Sequence, residues 1–265
     1  PLPQLTADIR AAAAVMGRGE VAALVDMYYG LQKQRIRASN QVSAFQRNKA
    51  PYQVVQEMAA RMEIYERHAR KILDIWSSLQ PVCQWARTIC GIGPVLSAGL
   101  HAHIDIRKAP TAGQIWRFAG LDPSRKWEKG QKRPWNADLK VICWKVGDSF
   151  VKQHNRPKDY YGHIYYQRKL LETERSEALE FAEYAHSRES TVGKDTEAYK
   201  WYIQGKLPLG EINARAKRVA VKLFLSHWHH VAFVLEYGHE PPRPYVIAIR
   251  GHTNYIPPHN WPMQC

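Results

Sequence analysis

Residues 85–100 read WARTICGIGPVLSAGL, and the glycine pair inside that run decides what kind of fold the chain can have. Apolar and small residues on both sides suit helices, whereas Gly91, Ile92 and Gly93 interrupt them. Pro94 follows where a proline's missing N–H is harmless, at the first position of a helix. The spacing predicts one helix ending in WARTIC, a Gly-Ile-Gly turn, and a second helix opening at Pro94. Glycine tolerates backbone angles and a closeness of approach that a Cβ forbids, so the N–H groups opening the second helix can point at a phosphate. Ile92 is expected to tuck inward, and Ala98 and Gly99 to let the two helices pack closely. This is the sequence form of a helix-hairpin-helix, which can hold a nucleic-acid backbone without reading a base. The plainer alternative is a helix connection whose glycines only cap.

Upstream, apolar residues recur at alternating three- and four-residue steps. Val21, Leu24, Tyr28, Leu31, Ala38, Val42 and Phe45 form one series, interrupted by Arg35. After NKAP a second series runs Val55, Met58, Met62, Tyr65, Ala69, Ile72, Trp76 and Leu79. Stripes of this period are coiled-coil seams. Pro51 can end the first helix and open the second, which makes an antiparallel hairpin. The hairpin either folds onto the rest of the domain or serves as a dimerisation arm over residues 20–79.

Downstream the charge is concentrated. Between Arg107 and Lys158 there are 13 Lys and Arg against four Asp and Glu, +9 of a total +14, and such a surplus points to a polyanion, most often nucleic acid. Trp116, Trp127, Trp135 and Trp144 alternate with Lys126, Lys129, Lys132, Arg133 and Lys140. That interleaving suits stacking on unpaired bases beside phosphate contacts. Trp116 and Trp144 read as core, while Trp127 and Trp135, inside the basic loop, stay open between core and stacking.

Residues 164–187 predict an amphipathic helix whose glutamates at 172, 174, 177, 180 and 183 form a solvated face, closed by the loop STVGKD. LGEINARAKRVAVKLFLSHWHHVAFVLEYG predicts another helix, with Ile212, Ala216, Val219 and Leu223 inward and Gly238 as its stop. The tail from Pro241 is proline-punctuated around one short strand-like run and is expected to lie extended over the helices. His227 and His230 stand one turn apart near His229, His239, His252 and His259; their face continues an apolar stripe, so buried imidazoles are expected before a metal site. Asp105, Asp122, Asp138 and Asp148 carry no paired-carboxylate motif and read as caps and ion pairs. Cys83, Cys90, Cys143 and Cys265 form no CxxC pair, which argues against a zinc knuckle or a disulfide framework.

Together these residues resemble a known family. The order of coiled-coil arm, CGIGPVLSAGLHAHIDI, then IWRFAGLDPSRKWEKGQKRPWNADLKVICWKVG is similar to the carboxy-terminal half of the insertion-sequence transposases that join a RuvC-like DEDD nuclease domain, a coiled coil and a helix-hairpin-helix transposase domain, the RNA-guided bridge recombinases. The resemblance covers about residues 20–150, with a weaker echo over 211–236, and its most specific parts are GIGPVLSAGL and FAGLDP followed by a basic loop. It implies a carboxy-terminal domain that contacts nucleic acid and a serine after the GLxP motif that acts with the DEDD site. The chain departs twice from that pattern. About 20 residues precede the coiled coil, too few for a RuvC-like fold, so no four-carboxylate site is expected in this chain. Where the family has its serine the chain reads WEKG, residues 127–130; Ser124 directly follows Pro123 and reads as a turn serine before a catalytic one.

The sequence therefore predicts a mainly α-helical protein. Residues 1–80 are expected to hold an N-terminal helix and a long antiparallel coiled-coil hairpin, 81–160 a helix-hairpin-helix domain with its basic loop, and 161–265 a helical region ending in an extended Pro-rich tail. Nucleic-acid contacts are assigned to Gly91, Ile92, Gly93, Lys126, Trp127, Lys129, Lys132, Arg133, Trp135 and Lys140, with Ser124 the one catalytic candidate and no metal or cofactor. DNA is the expected partner, with RNA as a second and another copy of the chain as a third. No secretory leader opens the chain and no run of 18 apolar residues occurs, which reads as cytoplasmic and off the membrane. The expected function is nucleic-acid binding of the transposase type, without intrinsic nuclease activity. The alternatives are a recombinase subunit acting with a separate nuclease and a phage or mobile-element scaffold protein.

Overall fold

The computed structural model describes residues 5–125, 127–242 and 255–263. Among them every regular element is helical and no strand occurs. The strand-like run YVIAIR at 245–250 lies outside the described residues, as do Lys126, His252 and Cys265. The chain divides into two compact units: one runs to Thr88 and takes in Ile92–Ala109, the other takes Ile89–Gly91 and the described residues from Pro110 onward.

The first unit holds α1 (Ala7–Ala14), α2 (Arg18–Arg47), α3 (Gln53–Ser78), α4 (Pro81–Arg87), α5 (Pro94–His103) and a 3-10 turn at Ile106–Lys108. α2 and α3 pack along their length as an antiparallel hairpin. Pro51 lies in the connection, inside neither helix: α2 stops because Lys49 takes φ +54 while the amides of Lys49 and Ala50 donate to the carbonyls of Gln46 and Phe45. α3 turns inward Val55, Ala59, Met62, Glu66, Ala69, Leu73 and Trp76, while Met58, Tyr65 and Leu79 face solvent. The expected and observed rows share positions 55, 62, 69 and 76 and differ by one residue between them. At 3.6 residues per turn either flank can accompany the shared positions, and the partner helix chooses. Here it chooses the flank carrying Glu66, because Arg35 faces it: Arg35 Nε stands 2.5 Å from Glu66 Oε2, and Gln32 Nε2 donates to Oε1 at 3.0 Å. The interruption at Arg35 and the buried glutamate are one feature seen from two helices.

α4 ends at Arg87, three residues before the close of WARTIC, and buries Val82, Cys83, Trp85 and Ala86. α5 buries Val95, Ser97, Ala98, Gly99 and Leu100, and the two helices pack on each other. Arg18 closes the far end of α5 by donating to the carbonyls of His101 and Ile104.

The second unit is built around α11 (Leu209–Tyr237), on which α6 (Ala112–Phe118), α7 (Ala137–Gln153) and α8 (Tyr160–Glu177) all pack; α9 (Ala182–Arg188) and α10 (Glu197–Tyr202) add a smaller cluster of Ala185, Tyr202, Leu207 and Ile212. At the centre Phe150 stacks on Tyr161 and Phe224 meets both edge-on, with centroids 5.1–5.6 Å apart. Ile212 and Ala216 point inward as expected, but Val219 is exposed and Leu223 half-buried; Ala220 and Phe224 take the inner row, continuing steps of four. Gly238 ends α11 at φ +73. The helix expected over 164–187 is broken, because Leu179 turns left-handed at φ +61. Nor is Glu172 solvated: it is buried against the guanidinium groups of Arg168, Arg175 and Arg215. Residues 255–263 lie without regular structure over the helices, with His259 stacked 4.4 Å from Tyr160.

Candidate nucleic-acid interface

At the glycine turn the two glycines differ. Gly91 has φ +87, its carbonyl accepts from Ser149 Oγ at 2.6 Å, and an added Cβ would sit 2.6 Å from that oxygen. Only glycine fits there. Gly93 has φ −96 and ψ −176, ordinary extended backbone, and serves as N-cap of α5 with open space around it. Its freedom is therefore room, not backbone angle. Ile92 is buried, as expected.

The basic loop leaves α6 through Gly120, whose amide donates to Arg117 O while Leu121 N reaches back to Trp116 O, a left-handed stop at φ +64. Trp135 lies on Gly120 so closely that a Cβ would meet its ring at 2.8 Å. Asn136 N donates to Phe118 O at 2.8 Å, and the Asn136 side chain caps α7. These contacts bring the loop's ends together. Between them Arg125, Lys129, Lys132 and Arg133 are exposed. Asp122 receives both the amide and the hydroxyl of Ser124, at 3.0 and 2.8 Å, and pairs with Arg117 at 3.2 Å. These bonds, those from Ser124 foremost, hold its carboxyl below the usual range. The Ser124 hydroxyl is thus spent as a turn donor.

All four tryptophans of the segment carry a cation over the ring. Arg133 lies 5.1 Å from the Trp127 centroid and Lys140 4.1 Å from that of Trp135. Lys222 lies 4.8 Å from Trp116 and Lys217 5.1 Å from Trp144. The core assignment is corrected for Trp144, which is 59% exposed, and softened for Trp116, which is half-buried and donates Nε1 to Lys222 O at 3.0 Å. Lys217 and Lys222 were not among the expected site residues. The signal for them was a run of four cations, Arg215 to Lys222, with no acid among them. Like charges crowd this surface: burial first, then Arg218 and Arg133, lowers the pKa of Lys140, and burial with Arg218 does the same to Lys222.

His227 of α11 is built into a buried hydrogen-bond chain. A carbonyl only accepts, so His227 Nε2 donates to Ile256 O at 3.0 Å while Nδ1 accepts from the Tyr161 hydroxyl at 2.7 Å. Burial pushes this imidazole down to about 4. Among the described residues no group of three or more His, Cys, Asp or Glu could hold a metal ion, and no helix is long and apolar enough to cross a membrane.

These features define a helical chain presenting a turn-linked helix pair and a closed basic loop whose tryptophans sit under cations. Residues 83–133, from α4 to Arg133 in that loop, match the family model described as Transposase IS116/IS110/IS902 family. The match supports a transposase-like role. No curated protein and no solved structure matches the chain.

Proposed function

We propose that this chain binds nucleic acid as a transposase-type protein, holding DNA, with or without RNA, mainly by its phosphate backbone. The observation that carries this reading is that the transposase-matching segment ends in an exposed loop whose cations Arg125, Lys129, Lys132 and Arg133 make no ion pair among the described residues. Cations left without carboxylates are free to displace the counterions of a polyanion. The open space at Gly93 suits a phosphate approaching the first amides of α5. Salt titration of DNA binding tests both parts. Changing Lys129, Lys132 and Arg133 together to Ala should flatten the slope of log K against log salt by about 2 to 3 units. Gly93→Val should weaken binding while the melt stays within about 1 kcal/mol of the parent, since no left-handed angle is lost. An unchanged slope would put the binding surface elsewhere.

The reading includes self-association through the hairpin. Met58 and Tyr65 on α3 and Leu79 at its C-cap are exposed at multiples of seven residues, with half-buried Ile72 between, which leaves a second apolar stripe beside the occupied one. Sedimentation of Met58→Lys with Tyr65→Lys should show monomer where the parent shows dimer, and a monomeric parent removes the claim.

A further inference from the structure

We propose that the outer face of α7 is a stacking platform for unpaired nucleobases, centred on Trp144 with Val141 beside it. This rests on the nucleic-acid reading above and adds the form of nucleic acid taken there: single strands or unpaired loops.

Trp144 and Val141 stand one helical turn apart and are 59% and 51% exposed. The inner face of α7 is already filled by Leu139, Ile142, Cys143, Val146 and Phe150, so the core has no place for the indole. Gly147 brings α11 close, with Val221 Cγ2 3.2 Å from where its Cβ would stand. That approach sets Lys217 over the Trp144 ring, 5.1 Å from its centroid and tied to Asp148 at 2.7 Å, so a base would take the remaining exposed part of the indole. Lys145 and Lys152, seven residues apart, lie along the same side of α7 as Val141 and Asp148. An exposed aromatic and aliphatic pair bordered by three lysines matches an apolar ring joined to an anion, which is what a nucleotide offers. In a duplex the bases are stacked on one another, so a ring fixed on a helix surface can pair only with a base that has left the stack.

The full chain, its Trp144→Ala, Trp144→Phe and Val141→Glu variants are titrated against labelled oligothymidylate of about 20 nucleotides and against a duplex of equal length. Trp144→Ala should lose about tenfold in affinity for the single strand and little for the duplex. Trp144→Phe should keep most of the affinity, and Val141→Glu, on the same exposed face, should fall in parallel with Trp144→Ala. Equal single-strand affinity for parent and Trp144→Ala overturns the platform and leaves the binding reading standing, as does an equal loss on both ligands. A parent that binds neither ligand overturns the binding reading and the platform together.

Discussion

The hairpin and the ring-bearing surface treat their cations in opposite ways. Around α3 they meet carboxylates: Arg35 pairs with Glu66 at 2.5 Å, Arg61 with Glu57 at 3.0 Å, Arg67 with Glu63 at 3.2 Å, and Arg87 with Asp74 at 2.5 Å. In the second unit Arg133, Lys140, Lys217 and Lys222 meet indole rings. A carboxylate cancels the charge, whereas a ring only orients it, because a quadrupole carries no net charge. Two of the carboxylate pairs join helices, Arg35–Glu66 tying α2 to α3 and Arg87–Asp74 tying α4 to α3, while the other two lie along α3 itself. The ring arrangement leaves the field intact for an anion to find. The same residue types thus serve architecture in one region and exposure in the other, and Lys217, which has both a ring and Asp148, lies between the two cases.

The largest effect that probes this contrast is acid. Neutral imidazoles are packed into each unit, half-buried His101 in the first and buried His227 in the second, each with a pKa of about 4, driven there first by loss of solvent. A depressed histidine contributes stability that is fully present above its ordinary value of about 6.5 and is lost as pH falls towards 4, up to about 3 kcal/mol for each group. Melts between pH 7 and 4.5 should fall steeply, and His227→Gln should remove part of the slope. A flat profile would mean that these rings are not held neutral. Next in size is the seam pair. Arg35→Ala leaves the Glu66 carboxylate without its cation and should cost about 2 kcal/mol in urea denaturation, while Arg35→Leu with Glu66→Leu should come close to neutral. The smallest effect is the most diagnostic: Arg133→Ala should change stability by less than about 0.5 kcal/mol, since its ring partner is on the surface. If Arg133→Ala destabilised as much as Arg35→Ala, the two regions would not differ in the way described.

Much of the helical plan could be read locally. The long helix from Leu209 to its stop at Gly238, the pair of helices on either side of NKAP, and the proline opening α5 all follow from period and backbone preference within a few residues. The break at Leu179 was invisible because nothing in a leucine announces a left-handed angle. The candidate surface was half legible: Trp127, Trp135 and the loop cations came from their interleaving, but Lys217 and Lys222 come from a helix more than 70 residues further along the chain.

What the sequence by itself determined is therefore where helices run and where charge gathers, since helical periodicity and net charge are sums over neighbouring residues. What only the tertiary structure decided is which side of each element meets another: Glu66 and not Tyr65 in the seam, Gly91 and not Gly93 at the left-handed angle, Trp144 outside and Glu172 inside. Burial belongs to two surfaces in contact, and one stretch of chain carries only one of them.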